Sequence, residues 1–370
     1  MIYKVELDGI DIYKPEDPCL GLISGEVTLE ANTVGSFDFV MPPEHIFYDN
    51  IVVLKNEIKV YEDGSLIFKG RPIEVKTDWY NRKTVHCEGA LAYLNDYMIR
   101  PAEFNNEGQT KWTIIDFFKE VIKRYNEIAP DSKKIKIGEI SVENRQNIIR
   151  EIDYETAWDV ITNKCIDTDY GYVFARYESD GTYIDWLKDM PYDAGQEITF
   201  SINLVDLSKN INGSEIFTVL IPLGDDIDDK SESKVGKRLT LITPDNNKDY
   251  IDIDYLISQY GRIERVVEFE GVKTVDDLRN QANKYIEDFI KDFIVLEVNA
   301  VDLHYIEDES DINPKFRLGQ TVHVTSTPHD VNVDLPLIKI SMNIVNPNKT
   351  ITIGTKTRDS ISTYVNPYRE

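Results

Sequence analysis

At 370 residues the chain is long for one domain, and its 41% hydrophobic content suffices for roughly two to four cores. No apolar run approaches the length of about 18 residues that would span a membrane, and the N-terminal MIYKVELDGIDIY lacks the apolar core of a signal peptide. The formal charge is −25, from 66 acidic against 41 basic residues, and without a dense Lys/Arg face that field argues against nucleic-acid binding as the protein's task.

Residues 1–95 read as strands. In EIKVYEDGSLIFKG, Asp63-Gly64 supplies the positive φ angles of a tight hairpin, with Ile58 and Val60 on one face of the first arm and Leu66 and Phe68 on one face of the second. RPIEVKTDWYNRKTVHCEG predicts another pair, Ile73 and Val75 against Val85 and Cys87, joined around Trp79–Lys83. Near residue 100 the spacing changes. Ile114, Phe118, Val121, Ile122, Tyr125 and Ile128 recur at helical spacing behind a possible cap at Thr110. A second helix is expected from an Asp153 cap, with Tyr154, Trp158, Ile161 and Cys165 on its stripe. GYVFARYESDGTYIDWL then returns to a hairpin turning at Ser179-Asp180-Gly181.

From Glu197 the pattern is β again. A third helix starts at Thr274 with Asp277 three residues on, a capping-box spacing, and carries Leu278, Ala282, Tyr285, Ile286, Phe289 and Phe293 on its stripe, with Glu287 and Lys291 paired on the wet side. The chain closes with FRLGQTVHVTS, a hairpin around Asn346-Pro347-Asn348, and a tail, RDSISTYVNPYRE, expected to be weakly ordered. The expected domains are 1–100, a first β-barrel; 101–190, an inserted α+β domain; 191–245 with 292–370, a second barrel; and 246–291, a helix-containing insertion.

Chemistry-bearing motifs are scarce. Cys19, Cys87 and Cys165 are dispersed, as reduced structural thiols are in a protein made in a cytoplasm. Glu44-His45 in GSFDFVMPPEHIFYDN could be an acid–base pair, but no second group is tied to it. Phe37, Phe39 and Met41 look like one buried face of a strand that Pro42-Pro43 stop, with Ile46, Phe47 and Tyr48 packing inward beyond it and Glu44-His45 at a rim. His86 and His323 sit mid-strand, and His304 and His329 lie in polar stretches, without HExxH or HxH spacing. DDIDD at 225–229 and DNNKDYIDID at 245–254 fail the calcium-loop pattern, since Tyr250 stands where glycine should and Leu256 where the bidentate Glu should. GxSxG, GxxxxGK[ST] and GxGxxG are absent. No catalytic, cofactor-binding or metal-binding residue is assigned.

Taken together, GSFDFVMPPEHIFYDNI, LKNEIKVYEDGSLIFKGRPIEV and WYNRKTVHCEGALAYLNDYMIRP resemble the N-terminal region of the tail-associated hub proteins of phages and prophages of Gram-positive bacteria, a family also known as minor structural or tail-endopeptidase proteins. The resemblance is clear over about residues 20–100 and rests beyond that on element order and the closing ITIGTK strand.

It implies a mainly β fold with α+β insertions, phage baseplate-hub-like: two β-barrel-like domains and two smaller inserted domains. It further implies a homotrimeric ring of pseudo-sixfold symmetry capping the distal end of the tail tube. That ring contacts the distal tail protein and the tape measure protein, links to receptor-binding or wall-hydrolase proteins, and opens for DNA that passes without specific binding. The location implied is the virion tail, assembled in the host cytoplasm, with no membrane insertion and no cofactor. Family hydrolase activity is expected in a C-terminal extension beyond Glu370, so this region is read as non-enzymatic. The alternatives are a cell-wall peptidase or glycosidase, and a carbohydrate-binding module in which Trp79 is the aromatic expected to be exposed, Trp112 and Trp158 falling on or near helix stripes.

Overall fold

The structure, a computed structural model, describes residues 2–104, 112–144, 148–166, 171–211, 213, 216–225, 238–244, 246–269, 272–292, 294–305, 314–329 and 331–354. The chain divides into two compact units, residues 1–207 with 298–353 and residues 208–297 with 354–370.

The first unit opens with β1 (Tyr3–Leu7), β2 (Ile10–Tyr13), β3 (Ser24–Glu30), β4 (Ser36–Met41), β5 (Ile58–Glu62), β6 (Ser65–Thr77) and β7 (Lys83–Gly89). Period-2 alternation sets their faces: Tyr3, Val5 and Leu7, then Phe37, Phe39 and Met41, then Ile58 and Val60 are buried, and their alternate neighbours face out. Asp63 and Gly64 adopt φ of 48° and 82°, closing the β5–β6 hairpin as the sequence predicts. A register shift between Pro72 and Glu74 moves Ile73 out of phase. Cys87 therefore faces Pro72, Val85 faces Val75, and Ile73 is exposed. The expected Ile73–Cys87 packing is lost to that bulge.

Between β7 and the rest of the sheet lies a helical segment with its own core. A 3-10 turn (Ala90–Asn95) leads to β8 (Met98–Ile99), β9 (Ala102–Phe104), α1 (Ile114–Ile128), β10 (Ile135–Ile140), β11 (Arg150–Ile152), β12 (Glu155–Thr156), α2 (Ala157–Ile161), β13 (Tyr172–Glu178) and β14 (Gly181–Leu187). Phe117, Phe118, Val121 and Tyr125 of α1 pack with Leu91, Ile161 and Trp186. Each such side chain contributes about 1.5–3 kcal/mol of burial. The caps are not those expected from the sequence. Thr113 caps α1, its Oγ accepting from the Asp116 N–H at 3.1 Å, while Thr110 lies outside the described residues. Thr156 rather than Asp153 caps α2, and one π-type turn, Thr162–Ile166, follows it. Threonine three residues before aspartate satisfies the first free N–H groups at both sites.

The chain then adds β15 (Tyr192–Asp193), β16 (Ile198–Thr199) and β17 (Leu204–Ile211), leaves for the second unit, and returns through β21 (Ile294–Ala300), β22 (Gln320–Ser326), β23 (Val331–Asn343) and β24 (Asn348–Gly354). The hydrogen-bonded order is β17-β21-β24-β23-β3-β4-β7-β6-β5-β1-β2, with β22 joined to β23 and to β15 and β16.

One order recurs within this path. Strands 3, 4, 5, 6 and 7 are arranged 3-4-7-6-5, and strands 17, 21, 22, 23 and 24 are arranged 17-21-24-23-22. In both blocks the fourth strand has 13 residues and a register shift beside a proline, Pro72 or Pro336, and the fifth has 7 residues. The class is mainly β with α+β insertions. Among the described residues the path stays open, so the barrel closure expected from the sequence is not found. The strands are instead spent on joining block to block.

In the second unit β18 (Val219–Leu223) lies between β19 (Ile251–Asp252) and β20 (Glu264–Glu268). Two helices accompany them, α3 (Asp254–Tyr260) and α4 (Val275–Asp292). The capping box appears as expected: Thr274 Oγ accepts from the Asp277 N–H at 3.2 Å and donates to its carboxylate at 2.7 Å. Leu278, Ala282 and Ile286 are buried, and Phe217 packs on Tyr285 and Phe289. Phe293 and the Glu287 and Lys291 side chains lie outside the described residues.

Candidate functional site

His45 is buried, with Nε2 at 2.9 Å from the Ile12 carbonyl and Nδ1 accepting from the Phe47 N–H at 3.1 Å. An Nδ1 that accepts leaves the proton on Nε2, which donates to Ile12. Burial pushes the imidazole below its ordinary pKa, opposed in part by that carbonyl. Glu44 points to solvent and Ile46 is exposed. Two positions depart from the expected arrangement: the imidazole, not Ile46, packs inward, because both ring nitrogens find backbone partners there, while Phe47 and Tyr48 are half-buried. Glu44-His45 is a structural element of the loop.

His86 and His323 each face an aspartate directly across an antiparallel pair, with Nδ1 at 2.6 Å from Asp38 Oδ1 and from Asp334 Oδ1 respectively. The Asp334 carboxylate holds the His323 imidazole above its ordinary pKa, a little desolvation opposing it. His323 lies in a polar cleft of about 530 Å³ with Asp193, Gln196, Glu197 and Thr321. His329 Nδ1 lies 2.6 Å from Ser326 Oγ, a serine–histidine contact that the sequence reading missed. Ser326 is fully buried and cannot meet a substrate, so this contact ties down the turn after β22. Among the described residues no group of three or more His, Cys, Asp or Glu side chains is arranged to hold a metal. Of the two acidic runs, Asp225 and residues 246–254 are described, and residues 226–229 and 245 lie outside the described residues.

Two polar clusters join separate parts of the first unit. Lys349 on β24 lies 3.0 Å from Glu62 and 3.4 Å from Asp302, and Tyr3 OH donates to Glu62 at 2.9 Å. Gln196 Nε2 donates to Asp302 at 2.8 Å, and Lys315 bridges Asp63 at 2.6 Å and Glu62 at 3.7 Å. Burial alone would raise the Glu62 carboxyl, but Lys349 and the Tyr3 hydroxyl hold it below its ordinary range. The sequence did carry a signal. Glu62 is in phase with Ile58 and Val60, and Lys349 with Ile351 and Ile353, so each charge stands on the apolar side of its strand. The second cluster centres on Arg71, which is bidentate to Asp96 at 2.8 and 2.7 Å and donates to Glu88 at 2.7 Å. Lys133 reaches the same Asp96 at 2.8 Å. Arg71 thus pins the 3-10 turn and the loop after α1 to the sheet.

Among the described residues the most exposed aromatic side chains lie on the β6–β7 turn. Asp78 Oδ1 accepts from the Tyr80 and Arg82 N–H groups, each at 2.9 Å, and Oδ2 from Arg82 Nε at 2.6 Å. Asn81 takes φ 56°, and its carbonyl accepts from Tyr48 OH at 2.6 Å. This ordered turn holds Trp79 at 92% exposure and Tyr80 at 71%. Trp186 is buried, and Trp112 and Trp158 are partly buried against the helical core. Val52, Val53 and Leu54 are exposed, and the Leu54 N–H donates to the Pro72 carbonyl at the β6 register shift at 2.7 Å. A second apolar patch, Phe200, Ile202 and Val205, leads into β17.

This sheet, with its repeated strand order and helical insertion, is a fold also found in solved phage tail proteins and in a type VI secretion component. Three solved structures carry it. The 43 kDa tail protein of prophage MuSo2 from Shewanella oneidensis matches at a TM-score of 0.64 and 14% identity, over 96% of this chain and 98% of that one. Prophage tail protein gp18 from Listeria monocytogenes matches at 0.55 and 13% identity, over 92% and 90%. The E. coli c3393 protein, a component of the type VI secretion system described as similar to T4 bacteriophage tail proteins gp27 and gp5, matches at 0.52 and 10% identity, over 96% and 77%. By sequence, the family model described as Prophage endopeptidase tail matches residues 193–363. No curated protein matches the chain by sequence.

Proposed function

We propose that this chain is a structural hub of a phage or prophage tail tip. Three copies form a ring that caps the distal end of the tail tube, joins it to the host-contact apparatus and opens for DNA. The repeated strand order carries this reading, because a chain built from two like blocks needs only three copies to present a ring of six. The tail-protein fold over nearly the whole chain and the family match over residues 193–363 support it, as does the resemblance of residues 20–100 to hubs of Gram-positive-infecting phages. The domain plan remains that of two β blocks, an α+β insertion at 101–190 and a helix-containing insertion at 246–291. The partners are the distal tail protein ring, the tape measure protein and receptor-binding or wall-hydrolase tail proteins.

The charge of −25 fits a lumen that a polyanion crosses without adhering. Light scattering on the purified protein, with negative-stain imaging, should give a trimeric ring. A monomer at all concentrations, with no ring formed when the distal tail protein is added, overturns the reading. A wall-peptidase activity is the second reading, favoured by the description of the matching family. Zymography on cell walls tests it: clearing by this chain would establish the enzyme and displace the purely structural role.

A further inference from the structure

Within the chain, one block grips the other in a defined way. Along β23, the first half pairs with β22 from Ser326↔Val331 to Thr321↔Pro336. Beyond the bend the same edge pairs with β3, from Lys339↔Glu30 to Asn343↔Glu26, while β24 keeps the opposite edge. The turn that follows completes the grip. Ile344 is fully buried, its N–H donates to the Gly25 carbonyl at 2.9 Å, and its own carbonyl accepts from Tyr13 OH at 3.0 Å.

The other block has the same parts, met by the preceding loop through Leu54 N–H on the Pro72 carbonyl at 2.7 Å and Tyr48 OH on the Asn81 carbonyl at 2.6 Å, but by no further strand among the described residues. Its fourth strand, β6, pairs with β5 as far as Gly70↔Ile58 and with β7 on the opposite edge. Beyond the bulge, over Ile73–Thr77, no strand among the described residues occupies the edge that corresponds to the β3-binding edge of β23. The turn that follows is the one that holds up Trp79 and Tyr80. Ile344, its counterpart in the chain, is wholly buried, whereas Trp79 is almost wholly bare. On the receiving side the counterpart of β3 is β17, which ends the sheet. The exposed Phe200, Ile202 and Val205 flank its start.

We propose that the β6 edge at Ile73–Thr77 and the Trp79–Tyr80 turn of one copy dock on Phe200–Leu207 of a second copy of this chain. The join between chains then repeats the join within the chain. Among the described residues each copy has one gripping surface and one receiving surface that no strand of its own covers, so the contact is heterologous and passes from copy to copy until a ring closes. Strand-edge pairing supplies backbone hydrogen bonds and covers an edge otherwise open to aggregation, and the aromatic pair supplies the anchor. The proposal rests on the ring reading above and names the surfaces that make it.

Cross-linking tests it in a Cys19→Ser background, since Cys87 and Cys165 are buried. A double variant, Lys76→Cys with Asp206→Cys, treated with a short bis-maleimide should give a ladder that stops at the closed ring. Mixing the two single variants should give a covalent dimer only. Separately, Trp79→Ala/Tyr80→Ala should weaken self-association at least tenfold by sedimentation, with an unchanged circular dichroism spectrum. If a ring forms but neither cross-link nor variant has an effect, the docking is overturned and the ring stands. If Lys76→Cys links to itself alone, a two-fold contact replaces the proposed one. If the chain stays monomeric and unlinked at every concentration, both fall.

Discussion

Glu62, Asp302 and Lys349 form a cluster of buried charges, and the energetics of such a cluster are asymmetric. Removing one member leaves uncompensated buried charge, at a cost of about 3–5 kcal/mol. Lys349→Met should therefore lower the urea midpoint sharply, and adding Glu62→Gln should recover part of the loss; full additivity would show that the two groups are not coupled. The folded-state pKa of Glu62 is depressed, so its contribution is complete above the ordinary value of 4.5 and is lost as pH falls through the folded value. His45 acts in a different window. Its folded pKa is also depressed, so the stability it gives is present above 6.5 and drains as pH falls below that. The melting temperature should fall in two stages on acidification. His45→Gln, which keeps a donor toward Ile12 but does not titrate, should flatten the upper stage, and an unchanged slope would remove His45 from the account.

At the level of elements, close approach decides more than propensity. Gly70 and Gly89 face each other across β6 and β7, and a Cβ on either would sit 2.0 Å from a backbone oxygen, of Glu88 or of Val34. Gly89→Ala should cost about 2 kcal/mol through forced backbone movement, read as a lower melting temperature. Thr274→Ala should cost about 1 kcal/mol and speed amide exchange in the first turn of α4 while leaving β1–β7 protected. Alternation, helical spacing and Asp63-Gly64 made most of these elements legible in the sequence. The caps at Thr113 and Thr156, the bulge that turns Ile73 outward and the burial of His45 were not. Each depends on which backbone group lies opposite, a property of the folded neighbour rather than of the local residues. The candidate site was legible only at Trp79, since an unpaired strand edge exists only once the pairing of every other strand is known.

For the molecule as a whole, charge opposes assembly. Copies bearing −25 each repel, so raising salt from about 50 to about 500 mM should increase the assembled fraction as screening shortens the range of repulsion; a decrease would mean that ion pairs hold the ring. The pairing of β3 with β23 has a consequence for how the molecule is made. Val27 meets Met342, so a strand that leaves the ribosome early waits for almost the whole chain before its edge is covered. Contacts of such sequence separation are closed late and slowly. Nascent chains stalled before β23 should therefore expose the β3 edge, associate with holding chaperones and aggregate when released, whereas release after Gly354 should restore solubility.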